Sequence, residues 1–231
     1  MSAIAERTAG EPLIRLGGEA FVPDLSGALY WPAERMLIAA DLHLEKGSSF
    51  ARRGSLVPPY DTAAALAKLA GAMLAFRPGT LLLLGDSFHD TGWPERLSCE
   101  NRAAIAKLGG QAELIWITGN HDPRLPPDLP GRAAHEIAIA GITFRHEPKR
   151  NFEGLEIAGH LHPAVRVPGP RGSVRAKCFA SDARRIILPA FGAYAGGLDL
   201  RNEAFDGLFD RGSALAHALG RQRVYRVRAF S

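Results

Sequence analysis

The chain has 231 residues, 46% hydrophobic and 23% charged, with a mean hydropathy of −0.05, a net charge of +4 and a pI near 9.3. No apolar run approaches the roughly 18 residues of a membrane-spanning helix, so a helical membrane protein is excluded. Cys99 and Cys178 are the only cysteines and lie outside any C-x-x-C spacing; this excludes a disulfide scaffold or a thiolate zinc site and leaves histidine, carboxylate and amide as metal ligands.

The opening "MSAIAERTAGEP" carries acids early and has no continuous apolar stretch, so no leader is expected and the cytoplasm is the expected compartment. Residues 18–31, "GEAFVPDLSGALYW", alternate apolar runs with Gly and Pro, the mark of short strands and hairpins. "RMLIAA" reads as a buried strand, and 61–76 as a helix with Asp61 as N-cap. "TLLLL" is a second strand, "PERLSCENRAAIAKL" a helix with Pro94 in its first turn, and "AELIWIT" a third strand. This strand–helix alternation predicts a largely parallel sheet covered by helices. Beyond residue 130, "HEIAIAGITFRH", "LEIAGHLH", "SVRAKCFA", "RRIILPAF" and "RVYRVRAF" read as strands with few helices between them. The expected fold is α/β, with two packed mixed β-sheets flanked by helices. No repeat or long linker interrupts the chain, so one domain over residues 1–231 is expected.

Each apolar strand runs into a polar cluster. "MLIAA" leads to Asp41-Leu42-His43, "LLLL" to Gly85-Asp86-Ser87-Phe88-His89-Asp90, and "LIWIT" to Gly119-Asn120-His121-Asp122. "ITFR" leads to His146, and "LEIA" to Gly159-His160-Leu161-His162. In α/β folds, ligands bind outside the carboxyl ends of the strands, so five segments converge on one rim. In an extended segment, His160 and His162 project from one face. Carboxylate, imidazole and amide oxygen together suit manganese, iron or zinc. Gly85, Gly119 and Gly159 permit tight turns that aim the next residue inward.

In this order the clusters resemble the calcineurin-like metallophosphoesterases, whose pattern is D-x-H, G-D, G-N-H-[DE], a lone His and G-H-x-H. The match spans residues 41–162. The resemblance implies the metallophosphoesterase α/β sandwich and a centre of two divalent metal ions. Asp41, His43 and His162 would hold one ion, Asn120, His146 and His160 the other, with Asp86 bridging. Two such ions about 3.5–4 Å apart clamp a phosphate and acidify a water for in-line attack. His121 is similar to the family histidine that contacts phosphate and protonates the leaving oxygen. The phosphatases of this superfamily place an aspartate three residues after the bridging one. Here His89 stands there, in "GDSFH", similar to the form in DNA-repair nucleases and implying a catalytic role for His89. Asp90 is an alternative partner that orients His121.

The stretch "ADLHLEKGSSFARRGSLVPPYDT" resembles the ICC-like branch of bacterial phosphoesterases, which includes ligase-associated DNA damage response endonucleases. That resemblance implies manganese-dependent cleavage of single-stranded DNA, functional association with the DNA ligase and helicase of a repair operon, and no membrane partner. Lysine occurs only at Lys46, Lys68, Lys107, Lys149 and Lys177, so arginine supplies 23 of the 28 basic residues. Guanidinium forks match phosphate oxygens, although an Ala- and Arg-rich chain also follows from a GC-rich genome. Lys46, Arg52, Arg53 and Arg124 lie near the motifs, as do Arg145, Lys149, Arg150, Arg166, Arg171 and Arg175. Arg52, Arg53 and Arg124 are the candidate substrate-binding residues, and Phe50 and Phe152 candidate base-stacking ones. Two other readings stand beside the nuclease: a phosphoesterase acting on a nucleotide or a lipid-linked pyrophosphate, and a non-enzymatic scaffold. The presence of all seven ligands and His121 argues against the scaffold.

Overall fold

A computed structural model describes residues 12–55, 57–58, 60–125, 128–169 and 172–230. The leader reading at the N-terminus and Arg171 fall outside the described residues. The first sheet begins with an antiparallel meander, β1 (Ile14–Leu16), β2 (Glu19–Pro23), β3 (Leu29–Trp31) and β4 (Met36–Ala39). It continues in parallel through β5 (Thr80–Leu84), β6 (Glu113–Ile117) and β7 (Arg132–Ala134). The second sheet centres on β9 (Ile142–Arg145), β10 (Leu155–Ala158) and β13 (Arg185–Ile187), which pair in parallel. Antiparallel neighbours extend it: β8 (Glu136–Ile139) on one side and β12 (Gly172–Ser181) on the other, with β11 (Pro163–Gly169) and β15 (Leu215–Leu219) both on β12. β14 (Leu198–Asp199) pairs with β11, and β16 (Val224–Arg228) with β15.

The period of two along each strand divides the apolar residues between layers. Ile38, Leu82, Leu84, Ile115 and Ile117 face inward onto Phe144, Ile157, Phe179, Ile186 and Leu188, forming the core between the sheets. Leu37, Leu81, Leu83, Leu114 and Trp116 face outward onto α2 (Asp61–Phe76) and α3 (Cys99–Gly109). The far face of the second sheet is covered by Phe205, Leu208 and Phe209. Both faces of the central strands are buried, which is why they read as continuous apolar runs.

Local departures have local causes. Tyr60, not Asp61, occupies the N-cap of α2, and the Asp61 carboxylate instead accepts from the backbone N–H of Gly47 at 3.0 Å. The helix expected from Pro94 is split. A 3-10 turn spans Trp93–Glu95, and α3 starts afresh where the Ser98 hydroxyl accepts from the Asn101 N–H at 3.2 Å. A short helix, α1 (Lys46–Arg52), precedes α2 without an apolar periodicity to announce it. No helix among the described residues is long and apolar enough to cross a membrane.

Candidate metal centre

Asp41, His43, Asp86, His160 and His162, five of the seven expected ligands, have φ between 46° and 69°. That left-handed region costs a non-glycine residue of the order of 1–3 kcal/mol, and such strain collects where side chains must be aimed. β10 ends at Ala158, so His160 and His162 are not an extended pair on one face. Both lie in a turn, and their rings diverge into separate clusters. Gly85 has φ of 71° and is the glycine whose conformational freedom the turn requires. Gly119 and Gly159 serve close approach instead. A Cβ on Gly119 would lie 2.2 Å from Asp86 Oδ1, and one on Gly159 2.6 Å from Asp41 Oδ2.

The ligand-bearing atoms of Asp41, His43 and His162 gather within 4.8 Å of one another, as do those of Asp86, His146 and His160. In the first cluster His162 Nε2 lies 3.3 Å from His43 Nε2 and 3.2 Å from Asp41 Oδ1. In the second, His146 Nε2 lies 3.3 Å from Asp86 Oδ2, 3.1 Å from His160 Nδ1 and 2.9 Å from Asn120 Oδ1. His146 Nδ1 donates to the Leu84 carbonyl at 3.0 Å, which turns the Nε2 lone pair toward the cluster. Ligands about 2.1 Å from a common ion stand about 3 Å apart, matching these separations.

The charges make the same case. Asp41 and Asp86 are buried, with no Lys or Arg within ion-pairing distance of either among the described residues. Asp41 Oδ1 and His43 Nδ1 are buried and lack a hydrogen-bond partner. Two buried carboxylates ringed by imidazoles fit divalent cations. Burial disfavours a charged His146 ring, yet the hydrogen bond to Asp86 and the charges of Asp41 and Asp86 raise it to about 9.

The Asp86 turn is held by a residue whose role sequence reasoning does not assign. The buried Asp122 carboxylate accepts backbone N–H groups from Asp86, Ser87, Phe88 and Gly119 at 2.7–3.1 Å. The aspartate in "GNHD" was the only signal for it.

His121 lies above the second cluster, its Nε2 3.9 Å from Asp86 Oδ2 and its backbone N–H donating to Asp86 Oδ1 at 2.9 Å. Its Nδ1 donates to the backbone carbonyl of His89 at 2.6 Å. Among the described residues that carbonyl is the hydrogen-bond partner of Nδ1. Asp90 is engaged elsewhere, bound to Arg96 at 2.7 Å and to the Gly92 N–H at 2.9 Å. The His89 ring stacks on His121 with centroids 5.3 Å apart. Burial, then the charges of Lys46 and His121, lower His89 to about 4, which keeps it neutral near pH 7. His43, His89 and His121 form a third group whose nitrogens lie within 4.8 Å.

The basic residues divide. Arg52, Arg53 and Arg124 are exposed, and Arg53 lies close enough to His89 to bias its ring. Arg145 is buried between Glu136 and Glu156, so it does not serve the rim. Its guanidinium also covers Phe152, 4.5 Å from the ring centroid, which removes that face from base stacking. Arg166 is paired with Asp199 at 3.2 Å. Phe50 sits at the rim, edge-on to His89 with centroids 5.6 Å apart.

The structure is similar to the crystal structure of the Pseudomonas putida nuclease MPE, at a TM-score of 0.72 and 27% identity, covering 94% of this chain and 99% of that one. A phosphoesterase from E. coli, Yfce, matches at a TM-score of 0.41 and 14% identity, over 84% of this chain and 98% of that one. No curated protein matches the chain. The family profile for calcineurin-like phosphoesterases matches residues 34–177, more than half the chain and every residue that converges here from Asp41 to His162. With that span and two clusters suited to divalent ions, the chain belongs to the calcineurin-like phosphoesterases and is a metallophosphoesterase.

Proposed function

We propose that this metallophosphoesterase is a manganese-dependent endonuclease of single-stranded DNA that works in DNA repair, alongside a ligase and a helicase. The observation that carries the reading is the similarity to a nuclease along 94% of the chain, well beyond the family profile. The exposed Arg52, Arg53 and Arg124, which follow the metal motifs in sequence, support it, because guanidinium groups match backbone phosphates.

Asp41, His43 and His162 would hold one divalent ion and Asn120, His146 and His160 the other, with Asp86 shared; the same donors suit iron or zinc as well as manganese. Two divalent ions bound there would supply positive charge for the phosphate and acidify a water. His121, fixed through Nδ1, holds a proton at Nε2 for the leaving oxygen. His89 keeps a neutral ring against His121 and presents a hydrogen-bond donor to the phosphate. Arg52, Arg53 and Arg124 track the backbone on either side.

A strand lying on several arginines releases counterions as it binds, so its affinity falls steeply with salt. With Mn²⁺, circular single-stranded DNA should become linear, which only an endonuclease achieves. Charge reversal at Arg52 and Arg53 should weaken that cleavage and flatten its salt dependence, while hydrolysis of bis-nitrophenyl phosphate changes little. Equal effects on both substrates, or no linear product, would favour the small-substrate phosphoesterase.

A further inference from the structure

The segment after β13 runs beside the first ligand cluster and is tied to it at both ends. Phe191 N–H donates to the Ala40 carbonyl at 2.9 Å and Gly192 N–H to that of Asp41 at 3.1 Å. Six residues on, Leu198 N–H donates to the His162 carbonyl at 2.7 Å. The approach leaves no room for side chains: a Cβ on Gly192 would lie 2.2 Å from the Leu42 oxygen, and one on Gly197 3.2 Å from that of His162.

Tyr194 lies between these ties. Its hydroxyl donates to the Pro58 carbonyl at 2.8 Å. That carbonyl stands 3.4 Å from where a Gly47 Cβ would be, at the start of α1. The side chain therefore reaches from the stretch beside His162 and Asp41 to the stretch that begins with Lys46, and the residue is 36% exposed. Lys46 is half-buried, its Nζ 5.8 Å from the Phe50 ring centroid, and it is close enough to His43 and His89 to bias both rings. A tyrosine normally turns its polar tip to water. Here the tip is held by a backbone carbonyl, so the exposed side chain has little rotamer freedom left to lose on binding. An exposed, anchored tyrosine next to a phosphate-handling centre, with an ammonium at that same centre, matches the parts from which single-strand sites are built.

Resting on the nuclease reading above, we propose that Tyr194 and Lys46 form a nucleobase subsite. The base of the nucleotide flanking the scissile phosphate on the Asp41–His43–His162 side stacks on the Tyr194 ring, and Lys46 takes that nucleotide's phosphate. A base within a duplex is already stacked and paired and cannot lie on the ring. The subsite therefore selects unpaired strands without reading their sequence.

The test uses the Mn²⁺-loaded protein and short single-stranded DNAs with one abasic nucleotide placed at each position around the cleaved bond. The wild type should lose about 5- to 100-fold in kcat/KM, the worth of one stacked base, when the missing base falls on one side of the bond, and little when it falls on the other. Tyr194→Ala should cleave intact DNA as slowly as the wild type cleaves that abasic strand, with no further loss when both changes are combined. Tyr194→Phe, which keeps the ring and loses the anchor, should retain most of the base dependence. Metal content and melting temperature establish that each variant is folded and loaded. Multiplying losses, or intact DNA cleaved by Tyr194→Ala at the wild-type rate, would overturn the subsite. If Tyr194→Ala does not fold, equal wild-type rates at every abasic position would overturn it instead. Absence of any cleavage of single strands by the wild type would overturn the nuclease reading itself, a distinct outcome.

Discussion

Asp86→Ala is expected to reduce phosphodiester cleavage below detection and to lower the bound metal at the same time. Asp86 is buried, and its two oxygens face in different directions, Oδ2 toward His146 and Oδ1 to the N–H of His121. Burial raises its pKa, yet the hydrogen bond and charge of His146 and the N–H of His121 hold it at about 2, so it is an anion at every working pH. If that anion lies between the ions, its loss weakens both positions together, whereas loss of His43 or His160 strips one. Asp86→Asn keeps the shape and removes the charge, which separates electrostatics from packing. Elemental analysis of the purified variants measures this directly. Unchanged metal content in Asp86→Ala would contradict the bridging assignment.

His121→Ala should show the opposite pattern, with metal retained and rate lost by about 10²–10⁴-fold, the usual contribution of a general acid. Its Nδ1 is committed to the His89 carbonyl at 2.6 Å, so Nε2 is the nitrogen left to meet substrate. The loss should shrink on a diester with a nitrophenolate leaving group, which departs with little need of a proton. An equal loss on natural and activated diesters would make His121 a phosphate-positioning group instead. Asp90→Asn is expected to leave this comparison unchanged, since Asp90 holds Arg96 and not His121.

The parallel half of the first sheet is legible in the sequence because its strands are buried on both faces. Leu81 to Leu84 and Leu114 to Ile117 leave no other reading. The clusters are legible for a related reason, since each follows the carboxyl end of such a strand. What escapes the sequence is backbone geometry. An H-x-H spacing suggests an extended pair, and only the φ values of His160 and His162 reveal a turn that separates the rings. The orienter of His121 is a carbonyl, which every residue possesses, so no side-chain pattern encodes it. Arg145 looks like a rim cation beside His146, but strand alternation turns it onto Glu156 in the interior. The helix α1 and the segment around Tyr194 carry no apolar period, and their placement follows from hydrogen bonds to residues distant in sequence.

The proposed chemistry requires two ions among these seven side chains. Anomalous diffraction from crystals soaked in Mn²⁺ tests it most directly. Two peaks about 3.5–4 Å apart are expected, one among Asp41, His43 and His162, the other among Asn120, His146 and His160, with Asp86 touching both. A single peak, or a second peak among His43, His89 and His121, would contradict it.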